Sequence, residues 1–287
     1  MRGKVLITGA NGILGKALIR KFNHYEILAC DKNQLDITNR KLVSNFFEKN
    51  NINIVIHAAA LTNVDECEQK PDLSYQVNTT GTQNLVSACI GKNIKFVYIS
   101  STGIYGEHKE DFYNEFDFIF PTTIHHKSKY EAEKIVQTHL NNFLILRTGW
   151  LFGGESADAK NFVCKRYQEA FSKEFIYAND LQKGNPTSAK DFCAQIELLI
   201  EENISGIYNC VNKGIASRFE YVEKIVECFN LPCIVLKANK TVFNRVAPVS
   251  KNESAQNYKL ELMGLNIMEH WQDSLEKYIE DLKKEMM

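Results

Sequence analysis

Apolar residues in the first half of the chain recur in two alternating rhythms. Short runs at residues 4–8, 26–30, 54–58, 95–100 and 143–147 have the length of buried strands. Between them lie segments such as 83–90 and 130–139, whose apolar positions return every three or four residues, as on one face of a helix. Strands alternating with helices predict parallel βαβ units and an α/β, doubly wound sheet. Pro71-Asp72 predicts a helix start, because proline is tolerated in a first turn. After Trp150 the rhythm breaks. Gly153-Gly154 and the polar stretch 155–161 read as a loop, and Gly184-Asn185-Pro186-Thr187 as a turn. A helix at 189–200, a strand at 206–211 and a helix at 219–229 follow. The pattern divides the chain into residues 1–150 and a smaller region, 151–287, some segments of which return to the first.

The first run ends in Thr8-Gly9-Ala10-Asn11-Gly12-Ile13-Leu14-Gly15. An apolar strand that breaks into glycines and continues as a helix leaves unpaired amides at the helix start, where a pyrophosphate sits well. Gly9 permits the sharp turn, Gly12 a close backbone approach, and Gly15 tight packing of helix on strand. The spacing is G-x-x-G-x-x-G. Residues Gly9, Asn11, Gly12, Ile13, Leu14 and Gly15 are therefore candidates for holding a dinucleotide.

Asp31 follows the second run, 22 residues beyond Gly9. A carboxylate there can accept both hydroxyls of an adenosine ribose and repels a 2′-phosphate, which favours NAD over NADP, while the neighbouring Lys32 softens that preference. Asp36, beside Ile37, suits the adenine amino group or equally a helix N-cap. Ala58, Ala59 and Ala60 leave room for a cofactor to pass closely, and His57 reads as a packed core histidine.

Bulk properties narrow the classes. The chain has 287 residues, 44% hydrophobic and 24% charged, with a formal net charge of −1. That balance gives no electrostatic case for nucleic acid or an anionic membrane. No apolar stretch approaches a membrane span, and Met1-Arg2-Gly3 leads into a strand, so a cytoplasmic protein without signal peptide is expected. Eight cysteines without a C-x-x-C pair suit buried free thiols, with no metal site expected.

Further along, Ser100-Ser101-Thr102-Gly103-Ile104-Tyr105-Gly106 closes the fourth run. Twenty-four residues beyond Ser101 comes His125-His126-Lys127-Ser128-Lys129-Tyr130. Hydroxyls at the carboxyl end of a parallel strand face the ligand crevice. Together with Ala58–Asp65, Val77-Asn78-Thr79-Thr80-Gly81-Thr82, Leu146–Gly153, Asn161-Phe162-Val163, the Gly184–Thr187 turn and Gly206-Ile207-Tyr208, these strings cover nearly the whole chain. In order and spacing the chain resembles the extended short-chain dehydrogenase/reductases, with their NAD(P)-binding Rossmann fold, and within them the dTDP-4-dehydrorhamnose reductase family.

The resemblance implies reduction of a nucleoside-diphosphate 4-keto-6-deoxysugar by NAD(P)H in the making of a surface polysaccharide. It implies that Ser101, with Thr102 beside it, bonds the substrate carbonyl, that Lys129 holds the nicotinamide ribose, and that Thr62, Val64, Asp65, Trp150 and Asn161 line the sugar pocket. Asn78 falls in a string of the cofactor side. Trp150 also fits plain core packing. Lys127, Lys129 and Lys134 also fit a solvated helix face, and spacing from Ser101 lifts only Lys129 above that.

The chain departs from the family where it matters. The family's catalytic tyrosine, four residues before the lysine, is His125. The i, i+4 spacing keeps both side chains on one helix face. The nearby ammonium favours a neutral imidazole, which can donate one N–H to an oxyanion as an electrophile. A bridging water, Tyr105 or Tyr113 are alternative proton sources. Three readings of His125 stand open: a proton donor in a working reductase, a diverged enzyme for a related sugar nucleotide, or a catalytically silent nucleotide-binding protein. Sugar-nucleotide epimerisation or dehydration is a further option, since Ser100–Gly106 also resembles epimerases. Acidic residues that hold magnesium at a dimer contact in some relatives are Ala17 and Lys190 here. The late Arg-Pro-x-Asn-Ser segment has become Val249-Ser250-Lys251-Asn252-Glu253-Ser254. The assembly is left open, a homodimer being one option.

Overall fold

The computed structural model describes residues 3–238 and 245–286. Met1 and Arg2, the approach to the first strand in the sequence reading, lie outside the described residues. Six parallel strands form the central sheet: β1 (Lys4–Thr8), β2 (Glu26–Cys30), β3 (Ile54–His57), β4 (Lys95–Ser101), β5 (Phe143–Thr148) and a last strand, Gly206–Asn209. Their order from one edge is Gly206–Asn209, β5, β4, β3, β1, β2. The direction of winding reverses beside β1, between β2 and β3. Such a switch point opens a crevice at the carboxyl ends of the strands.

Alternation along the strands divides the core in two. Val5, Ile7, Ile54, Ile56, Val97 and Ile99 face one layer, with Leu14, Leu18, Phe192, Ile196 and Leu199. That layer is α1 (Ile13–Lys21) and the helix Ala189–Glu201. Leu6, Val55, Phe96, Tyr98 and Ile145 face the other. There they meet α2 (Arg40–Lys49), α5 (Gly81–Cys89) and α6 (Ile124–His139), while the short α3 (Val64–Gln69) and α4 (Pro71–Tyr75) precede α5. Pro71 opens α4, where its missing N–H costs nothing.

The helix Ala189–Glu201 and the strand Gly206–Asn209 lie past residue 150 yet complete the sheet and its layer. Elsewhere in the second half a smaller core gathers around Phe152, Tyr221, Trp271 and Leu275, while Leu260 and Met268 pack in the sheet layer. All eight cysteines are free, and seven are buried. No helix among the described residues is long and apolar enough to cross a membrane.

One buried ion pair ties the sheet to α6. Arg147 on β5 donates from Nε and Nη2 to Glu133 at 3.0 and 2.8 Å, and both side chains are at most 3% exposed. Two parallel charge-assisted bonds fix the helix over β4 and β5.

Candidate active site

At the β1–α1 turn, Gly9 has φ +72°, and a Cβ on it would stand 2.7 Å from the Ala59 nitrogen. Glycine alone fits between the turn and the end of β3. A Cβ on Gly15 would lie 2.2 Å from the Gly9 carbonyl, so α1 rests directly on the turn. Gly12 caps α1 with no side-chain bond and faces open space except for the Gly9 carbonyl at 3.3 Å. The first amides of α1 thus point outward without a side-chain cap, the arrangement that receives a diphosphate. Leu14 turns its side chain into the core, and Ile13 packs toward Gly153 and Gly154. These two face the crevice by backbone. Ala58, Ala59 and Ala60 flank the turn, half-buried. His57 is buried and bonded through both ring nitrogens to Thr8 and Thr82, and burial pushes it down to about 3.

Asp31 closes β2 and accepts from the amides of Asn33 and Gln34 and from Asn11 Nδ2. Its carboxylate is thereby set beside the glycine turn, with Lys32 exposed next to it. Asp36 does not cap a helix as one sequence alternative had it. Asn39 caps α2, accepting from Leu42 N, while Asp36 binds the amide and hydroxyl of Thr38. An Asx turn two residues on captured the carboxylate first. Ile37 is buried against Gly81, and its carbonyl accepts from Asn84.

Across the switch point, β4 delivers Ser101, whose hydroxyl accepts from Gly103 N at 3.2 Å and starts a short turn of 3₁₀-helix. Thr102 is buried beside it. Helix α6 begins at Thr123, which accepts from His126 N and bonds His126 Nδ1. The His126 ring fills the space over Gly103, so the start of α6 lies against the Ser101 turn. One turn on, Lys129 Nζ stands 4.3 Å above the Tyr98 ring of β4. Lys129 is buried, whereas Lys127 and Lys134 are exposed. The structure therefore packs the stretch of α6 that carries His125 and Lys129 against β4 and the turn that Ser101 starts.

The electrostatics follow from burial. Desolvation pushes the Lys129 ammonium down to about 7, partly opposed by Glu133 one turn below. His126 is pushed down to about 4 by the same burial and by Lys129. Burial, then His126 and Lys129, hold His125 well below its ordinary value.

His125 differs from the sequence expectation in its tautomer. Its Nδ1 lies 2.9 Å from the Leu61 carbonyl, which can only accept, so Nδ1 carries the proton. Asn78 locks that carbonyl in place, accepting from Leu61 N at 2.7 Å and donating to Leu61 O at 3.1 Å. Neutral His125 therefore leaves Nε2 bare. It accepts hydrogen bonds there and has no N–H to give an oxyanion. Nor do the two tyrosines offer a proton. Tyr105 and Tyr113 are a buried parallel stack 4.9 Å apart. The Tyr105 hydroxyl serves Asn209 and Arg147, and the Tyr113 hydroxyl serves Gly106 and Lys109.

Of the sugar-pocket candidates, Thr62 is exposed and Val64 half-buried. Asp65 accepts from Ala247 N at 2.9 Å, which ties α3 to the chain just before the altered segment 249–254. Asn161 is buried and spent as an N-cap, accepting from Cys164 N and donating to Glu155 O and Tyr278. Trp150 sits at φ +34°, a left-handed conformation rare for a large residue. Its Nε1 donates to Glu253 at 3.0 Å.

The pocket also holds two charged groups that sequence reasoning passed over. The Arg218 guanidinium lies 3.5 Å over the Trp150 ring, and its buried Nε has no hydrogen-bond partner. Burial pushes it down to about 10. Glu253 is buried, and burial raises its carboxyl against the pull of Trp150 and two arginines. Only the departure at 249–254 hinted at Glu253, and nothing local marked Arg218.

A family model described as the RmlD substrate binding domain matches residues 3–284. A dTDP-4-dehydrorhamnose reductase of Aggregatibacter actinomycetemcomitans is 31% identical over 233 residues, 78% of each chain. The spore coat polysaccharide biosynthesis protein SpsK of Bacillus subtilis is 29% identical over 280 residues, 97% of each chain. The dTDP-4-dehydrorhamnose reductase of Bacillus anthracis, solved in complex with NADP, superposes with a TM-score of 0.93 at 34% identity, over 98% of this chain and 100% of that one.

Proposed function

The chain belongs to the RmlD substrate binding domain family, and from that premise we propose that it is a cytoplasmic reductase of a nucleoside-diphosphate 4-keto-6-deoxysugar, using NADH or NADPH, in surface polysaccharide biosynthesis. The observation that carries this reading is one crevice with two furnished sides. The uncapped start of α1 lies at the switch point, and α6, which carries His125 and Lys129, packs against β4 and the turn that Ser101 starts.

The residues fit a nicotinamide dinucleotide. Amides 13–15 would hold its diphosphate, and Gly12 leaves the space for it. Asp31 would accept the ribose hydroxyls, which favours NADH. When bound, the reduced nicotinamide supplies a hydride to the ketone carbon.

The chain's own part is the oxyanion and its proton. Ser101 donates to the carbonyl oxygen as negative charge develops there. Lys129 is the proton source. An ammonium pushed down to about 7 is acidic enough to release its proton and is still populated near neutrality, and it reaches the oxygen through a bridging hydroxyl or water. The bare Nε2 of His125 accepts from a sugar hydroxyl and orients the ring. Arg218, stacked on Trp150 with its Nε free of hydrogen bonds, would attract the anionic end of the substrate.

The test is coenzyme consumption at 340 nm against a panel of nucleotide-linked 4-keto-6-deoxysugars, with NADH and NADPH compared. Turnover of at least one, faster with NADH, supports the reading. Binding of coenzyme with no turnover of any sugar would return the chain to the silent binding protein that His125 left open.

A further inference from the structure

Between the Ser101 turn and α6 runs a segment whose polarity is inverted. Phe116, Phe118 and Phe120 are 72%, 84% and 74% exposed, while their alternate neighbours turn inward. Glu115 accepts from the amides of Asn209 and Lys259. Asp117 accepts from Lys109 Nζ and Asn114 N, and Ile119 packs on the Tyr105–Tyr113 core. Each acid has found an internal partner, and each phenylalanine has been left in water. The apolar surface continues onto the helix Tyr258–Leu262, since Phe116 meets the Tyr258 ring edge-on at 6.2 Å. Leu262 and Met263 beyond it are 69% and 43% exposed.

We propose that this strip is the contact between two copies of the chain, related by a twofold axis. Area is the first argument. At roughly 200 Å² per phenylalanine the three rings offer roughly 450 Å², already in the range of the largest patch on a typical monomer. With Tyr258, Leu262 and Met263 the surface approaches the roughly 800 Å² per partner of a standard interface.

Charge is the second. An oppositely charged partner needs free charge to read, and here the acids are spent inside the segment. An apolar strip whose own acids are turned inward is the kind that matches its own copy without like-charge repulsion. The proposed contact uses neither Ala17 nor Lys190. It would brace the segment that ends at Thr123, the cap of α6, and so steady His125 and Lys129 from outside.

The test is sedimentation velocity over about 1–100 μM for the wild-type chain and for the double variant Phe116→Ser/Phe118→Ser. The wild type is expected to sediment at twice the chain mass. The variant should weaken association about 100-fold, the effect of losing an interface hot spot, while its melting temperature and coenzyme affinity hold. In a second measurement, Phe118→Cys should form an interchain disulfide under mild oxidation. A wild type monomeric at 100 μM overturns the proposal, as does one that instead floats with phosphatidylcholine vesicles. So does a folded double variant that stays dimeric.

Discussion

Between β1 and α1 the crevice wall is backbone: outward amides, glycines under the turn, and the alanines 58–60, with the larger side chains turned into the core. Between β4 and α6 the wall is side chain: a serine, a buried lysine over a tyrosine, and a histidine whose ring is held by a distant carbonyl. The first wall depends on local conformation and tolerates change at any side chain that does not reach it. The second depends on burial, and its chemistry shifts when one neighbour is exchanged. A chain can therefore keep the backbone of its first wall intact while a side chain of the second, such as that at His125, is exchanged.

The largest expected effect falls on the second wall. Glu133→Gln leaves Arg147 charged and unpaired in a buried site, which should cost about 3–5 kcal/mol in urea unfolding. Coenzyme affinity of the folded variant should hold, because the first wall does not use that pair. A loss of coenzyme affinity at unchanged stability would erase the contrast. Next, Ser101→Ala should lower kcat about 10²–10³-fold, as removal of an oxyanion donor does, with little change in coenzyme binding by calorimetry.

Gly12→Ala probes the opposite wall. Its Cβ meets only the Gly9 carbonyl at 3.3 Å and otherwise fills the crevice. Stability should hold while coenzyme affinity falls about tenfold, or about 1.4 kcal/mol.

The gentlest test sharpens the chemistry. Reduction that draws its proton from Lys129 should fade as pH rises past about 7, because the ammonium is lost there. The groups facing it are His125 and His126 on its own helix, His57 on β3, Tyr98 on β4, and Glu133. All three imidazoles are pushed low and already neutral in that range, and burial raises Tyr98, so the slope belongs to Lys129. His125→Tyr installs a phenol as an alternative donor and should flatten the decline, with about a tenfold gain near pH 9. An unchanged slope would remove this position from the proton path.

Much of the first wall was legible in the sequence. Gly9, Gly12 and Gly15 announced a turn and a helix start because their reasons are steric and involve near neighbours. The apolar run at residues 4–8 announced a buried strand, which the structure shows as β1. Less of the second wall could be read. The i, i+4 pairing of His125 and Lys129 was visible, but Leu61 and Asn78, 64 and 47 positions before His125, chose its tautomer. Of the two readings of Asp36, the helix cap gave way to an Asx turn, because the capture two residues away outcompeted the helix start. Tyr105 and Tyr113 looked available because nothing local records that Arg147 and Asn209 consume one hydroxyl.

The sequence alone determined the α/β alternation, the glycine cradle and the order of strings that mark the family, because each rests on backbone sterics or on periodicity within a few residues. Tertiary structure decided which ring nitrogen of His125 holds the proton and how acidic Lys129 is. It also decided that Arg218 and Glu253 share the Trp150 pocket and that three phenylalanines face outward. Those properties arise from desolvation and hydrogen bonds between residues far apart in the chain, and they exist only once the layers close.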